Sequence, residues 1–122
     1  MPRDTGNVLL DFALERVEHL LRTVTVIYED DSEVIYLRED LEQRYSAQEY
    51  ESIVDVFRTD MGFDATGPSG APLGSKESII HYHEDGFVFQ FNHEDCHSIL
   101  LSVDPEGGSQ LQAFITECRK RI

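Results

Sequence analysis

The chain predicts an α+β domain, a five-stranded antiparallel sheet with three helices in the order α-β-β-α-β-β-β-α. Three observations carry that expectation. Apolar residues recur at spacings of three and four in separate stretches near the start, middle and end of the sequence. Between them lie five short runs of β-branched and aromatic residues. The gaps Glu29-Asp30-Asp31-Ser32 and Glu84-Asp85-Gly86 are polar turns of the kind that close hairpins. At 122 residues the chain is expected to form one domain, 1–122, around a single modest core.

From Asn7 to Arg22, Leu10, Ala13, Leu14, Val17, Leu20 and Leu21 form one helical stripe, with Asn7 placed as an N-cap. Two strands follow, Val24 to Tyr28 and Val34 to Leu37. Both are nearly continuous rather than alternating, the pattern of a sheet covered at least in part on both faces. Ser46-Ala47-Gln48-Glu49 is a capping box, and Tyr50, Ile53, Val54 and Phe57 extend it into an amphipathic helix that Gly62 ends. Residues 64–75, DATGPSGAPLGS, read as a flexible Gly/Pro-rich loop. Ser78 to His83 and Phe87 to Asn92 then make a second hairpin. With Asp85 and Gly86 as its two-residue turn, Tyr82 faces Phe89 and Ile80 faces Phe91. His81 and His83 share the opposite surface with Val88 and Gln90. Ile99 to Val103 is the last strand, stopped by Asp104-Pro105. Ser109 and Gln112 open a final helix that buries Leu111, Phe114, Ile115, Cys118 and Ile122, with Arg119, Lys120 and Arg121 in its last turn.

This element order resembles the roadblock/dynein light chain superfamily and its longin- and profilin-like relatives. The resemblance implies a central sheet between a pair of terminal helices and a middle helix, together with pairing into dimers and docking onto small GTPases or other signalling proteins. The phrases RTVTVIYEDDSEVIYLREDL (Arg22 to Leu41) and LGSKESIIHYHEDGFVFQF (Leu73 to Phe91) are similar to a family of small, uncharacterised haloarchaeal proteins. That second resemblance implies a habitat and brings no catalytic residue with it.

Charge points the same way. The chain has 24 acidic residues against 10 basic ones, a formal charge of −14, and its basic residues are eight Arg and only two Lys. The acids are spread along the sequence and accompany 40% hydrophobic residues, so they do not form a disordered tail. Such a surplus repels itself in dilute buffer, whereas in about 1 M salt the Debye length falls to roughly 3 Å and the repulsion fades. A halophilic protein is the expected reading. Nucleic acid is a poor partner for so negative a chain. No apolar run approaches the roughly 18 residues of a membrane span, and no basic-then-apolar segment opens the sequence. A cytoplasmic location is therefore expected, with Cys96 and Cys118 reduced and Cys118 in the core.

Candidate chemistry is sparse. His81, His83, His93, Cys96 and His97 form the densest set of metal-ligating side chains, and imidazole pairs at i and i+2 on a strand share a face. In the hairpin register above His93 lies across from Ser78, too far from His81 to share an ion with it, so His93, Cys96 and His97 would form a separate partial site. The spacing matches no paired C-x-x-C pattern. Cys96 and His97 are adjacent, and neighbours on a strand point to opposite faces, which argues against a nucleophile-base pair unless the two lie in a turn. The glycines at 67, 70 and 74 lack the strand-loop-helix context of a phosphate cradle, and no cofactor motif is present. The first helix is apolar around much of its first half, which marks Leu9 and Phe12 as interface candidates, with Pro68 to Leu73 in the loop. The sequence thus points to a non-catalytic protein-interaction or regulatory module acting as a homodimer. The alternative is a small-ligand or metal sensor using the His81/His83 or His93–His97 region.

Overall fold

A computed structural model describes residues 1–59 and 76–122 of the chain. Its strands are β1 (Leu21–Ile27), β2 (Ser32–Leu37), β3 (Ser78–His83), β4 (Gly86–His93) and β5 (Cys96–Val103). All neighbours are antiparallel, in the order β2-β1-β5-β4-β3. The helices are α1 (Pro2–Val17), α2 (Glu39–Arg44), α3 (Ala47–Thr59) and α4 (Ser109–Arg119). The α+β class and the order of the main elements follow the sequence expectation, with α2 as a short addition between β2 and α3.

Two cores sit on opposite faces of the sheet. On one, Leu10 and Val17 of α1 and Leu111 and Ile115 of α4 pack against Val24, Phe87 and Val103. On the other, Tyr50, Val54 and Phe57 of α3 cover Ile27, Val88 and Leu100. β1, an interior strand covered on both sides, is buried at every position but Arg22, which explains why its apolar residues do not alternate with charged ones.

Helix α1 begins five residues earlier than Asn7, so Asn7 is interior and caps nothing. Pro2 sits in its first turn, where a missing N–H costs nothing. Gly6 lets the helix lie close on the sheet, because a Cβ there would stand 3.0 Å from Ile35 Cγ1. The helix also stops early. Glu18 takes φ 54°, a 3-10 turn spans Glu18–Leu20, and Leu21 is a buried β1 residue rather than part of a helical stripe.

The start of α3 is as expected. Ser46 N–H donates to Glu49 Oε1 at 2.9 Å and Glu49 N–H to Ser46 Oγ at 3.1 Å, the reciprocal bonds of a capping box. The far end of α3 is fastened by Arg58, whose Nε donates to the Tyr28 carbonyl and Nη2 to that of Asp31. Gly62, the 64–75 loop and the interface candidates Pro68 and Leu73 lie outside the described residues.

Three expectations are corrected in the second half. The β3–β4 turn is Glu84-Asp85, so Tyr82 pairs with Phe87, Ile80 with Phe89 and Ser78 with Phe91 rather than with His93. Gly86 belongs to β4, where it pairs with His83, and only glycine fits there because a Cβ would overlap the Val103 carbonyl oxygen. The register slips by two, which keeps each side chain on its expected face. Ser109 is the first residue of α4 and makes no cap; Gln112 instead donates to the Tyr82 hydroxyl at 3.3 Å. And α4 buries none of its residues: Leu111 and Ile115 are half-buried, while Phe114, Cys118 and Ile122 are exposed. Cys118 is therefore a surface thiol.

Candidate functional site: a polar chain, an arginine pair and an apolar cavity

Beneath α3, three strands contribute a line of polar side chains. Gln90 of β4 is wholly buried. Its Nε2 donates to the Phe57 carbonyl at 3.1 Å and to Ser98 Oγ at 2.9 Å, and its Oε1 accepts from His81 Nε2 at 2.9 Å. Ser98 Oγ, which accepts from Gln90, also lies 2.9 Å from His97 Nδ1 in a second hydrogen bond. The chain His81–Gln90–Ser98–His97 thus runs across β3, β4 and β5 and joins two of the histidines that the sequence presents as separate candidates. A register shift between Phe91 and His93 in the β4–β5 ladder lies beside His97.

The remaining candidates are placed as follows. His83 lies beside His81 with ring centroids 6.5 Å apart, and the Phe57 ring meets His81 edge-on at 4.9 Å. His93 pairs directly with Cys96 across the β4–β5 turn. Its Nδ1 accepts the Asp95 N–H at 3.1 Å, so the neutral ring carries its proton on Nε2 and donates to Thr5 Oγ1 at 3.3 Å. A metal at His93 would have to displace the Asp95 bond at Nδ1 or the Thr5 bond at Nε2, and one at His97 Nδ1 the Ser98 bond. Among the described residues no group of three or more His, Cys, Asp or Glu side chains converges as a metal site. Burial, reinforced by the Asp95 carboxylate, pushes the Cys96 thiol up, keeping it protonated rather than nucleophilic. Of the interface candidates on α1, Phe12 is 59% exposed, under the Arg16 guanidinium, and Leu9 is half-buried.

Two features escape sequence reading. One is an ion cluster. Arg38, just after β2, donates through Nη1 to Asp104 Oδ2 at 2.7 Å and through Nη2 to Oδ1 at 3.1 Å, and its Nε reaches Asp40 at 2.7 Å. Arg22 of β1 adds a longer bond to Asp104 Oδ1 at 3.2 Å. The four side chains come from positions up to 82 apart, so no local pattern announces them.

The other feature is a cavity of about 250 Å³ between α3 and the sheet. Its walls include Leu41, Tyr45, Tyr50, Val54, Phe57 and Leu100. Hydroxyls also reach it: Thr23 Oγ1 and Ser102 Oγ are 2.6 Å apart, and the Tyr50 hydroxyl lies 2.8 Å from Thr25 Oγ1. Burial pushes the Tyr50 phenol up, against the opposing effect of its threonine partners, so it is un-ionised. Arg22, Asp85 and Gly86 stand at one end.

A family model described as a domain of unknown function, DUF7522, matches residues 7–122, and the chain belongs to that family. No curated protein and no solved structure matches the chain. Among the described residues no helix is long and apolar enough to cross a membrane.

Proposed function

We propose that this chain is a non-catalytic protein-interaction or regulatory module that pairs with a second copy of itself, using the side of the sheet that carries α1 and α4. The observation that carries the reading is the unburied α4: Phe114 is 67% exposed on a helix with no buried residue, and Phe12 of α1 is exposed on the same side. Apolar side chains gathered on one side mark a contact surface more often than scattered ones do. The roadblock-like element order, with its two terminal helices on one face, is in keeping with pairing.

The surplus of 24 acidic over 10 basic residues supports a haloarchaeal, cytoplasmic setting. In molar salt, repulsion between two such copies is screened and apolar contact decides association. Sedimentation in molar KCl should give a dimer that Phe12→Glu and Phe114→Glu each dissociate while leaving the circular dichroism spectrum intact. A wild-type monomer at all attainable concentrations overturns the reading.

A further inference from the structure

We propose that the cavity between α3 and the sheet binds a small aromatic carboxylate, its ring among the apolar walls and its carboxylate on Arg22. This goes beyond the pairing surface, which lies on the other face of the sheet, and stands or falls separately from it.

Size and lining define the body of the ligand. An apolar protein cavity of about 150 Å³ accepts benzene. A cavity of about 250 Å³ walled by Tyr45, Tyr50, Phe57 and Leu100 has room for one ring and a short substituent. Aromatic walls favour an aromatic guest through offset and edge-on contacts.

Arg22 defines its head. Arg38 already engages both oxygens of Asp104, at 2.7 and 3.1 Å, and leaves Arg22 a single bond of 3.2 Å. A guanidinium has five N–H donors in a planar fork matched to a carboxylate. Among the described residues Arg22 makes no other side-chain hydrogen bond, and it borders the cavity. Asp85 and His83 are the other titratable groups with a charge to offer there, and neither comes within ion-pair distance of Arg22. In a chain with 10 basic residues against 24 acidic ones, a cation with spare donors at the border of an apolar space is the chemistry of an anion with an apolar tail. The Thr23 and Ser102 hydroxyls add polar contacts for a substituent.

The test is an amide NMR titration of the full chain in molar KCl with phenylacetate, and with phenylacetamide as its neutral counterpart. Phenylacetate should give saturable shifts centred on Thr23, Val54 and Leu100, and should bind about tenfold more tightly than the amide. Arg22→Gln should erase that preference while retaining weak binding of both probes. Arg22→Lys, which keeps the charge and loses the fork, should fall between, and it serves if the Gln variant does not fold. Ile53→Trp, which intrudes on the cavity from α3, should abolish both. No shift at millimolar phenylacetate overturns the site, equal binding of the two probes overturns the role of Arg22, and shifts centred elsewhere overturn the location.

Discussion

Arg38 grips Asp104 with two bonds, so the residue that leaves β2 is fastened to the residue that leaves β5, on the far side of β1. Arg22 adds a third bond from β1 itself. Desolvation of Asp104 raises its pKa, but the hydrogen bonds and charges of Arg38 and Arg22 outweigh it and hold the carboxyl below its usual 3.8. A carboxylate depressed in the folded state stabilises the fold above its unfolded pKa, and that contribution is lost as pH falls through the folded value. Asp104→Asn should therefore cost about 2 kcal/mol at neutral pH. The gap from wild type should close as pH falls below about 4. Urea unfolding of both proteins across a pH series measures this, and a gap that persists at the acid end would refute the linkage.

Gln90 satisfies Phe57, Ser98 and His81 at once with no exposure of its own. Gln90→Met keeps the volume and removes every one of those bonds. Ser98, wholly buried, and the part-buried Phe57 carbonyl each lose a donor, so the variant should lose about 2 to 3 kcal/mol in chemical denaturation. A loss below about 0.5 kcal/mol would mean the bonds only offset their own desolvation.

Glu18 closes α1 with φ 54° and ψ −127°, a conformation open to glycine and costly for a residue with a Cβ. Glu18→Gly should raise stability by about 1 kcal/mol, visible as a higher thermal midpoint. An unchanged or lowered midpoint would show that relief of strain is matched by freedom gained in the unfolded chain.

The charge surplus has its own test. The thermal midpoint should rise markedly between dilute buffer and molar KCl as repulsion among the carboxylates is screened. Equal midpoints would dispose of the halophilic reading.

What the sequence discloses is what repeats locally. The Ser46–Glu49 box, the apolar stripe of α3 and the run of β1 each lie within a few residues, and each takes its expected place; β2, just as apolar in sequence, lies at the sheet edge and buries no residue, against the expectation of cover on both faces. The end of α1 was masked because Leu20 and Leu21 continue a three-and-four spacing by coincidence, while Glu18 breaks the helix through a backbone angle that no side-chain pattern encodes. The α4 stripe is legible as a pattern, but pattern alone does not say whether a partner surface lies within the chain. The two-residue period of β3 and β4 puts His81 and Gln90 on one face, as found. Their connection to His97 depends on a shift in strand register, and the meeting of Arg22 and Arg38 on Asp104 depends on the sheet order.

That sheet order governs how the chain must fold. The central pair, β1 with β5, joins residues such as Thr23 and Ser102 that are 79 positions apart, and every other strand is added outside it. The closure entropy of that long loop falls due before either core can be completed, which places the molecule among slow-folding, high-contact-order topologies. It also makes the two halves mutually dependent. A chain cut between α3 and β3 leaves β1 with one unpaired edge and leaves β5 with the same on its side, so each fragment alone presents a template for aggregation.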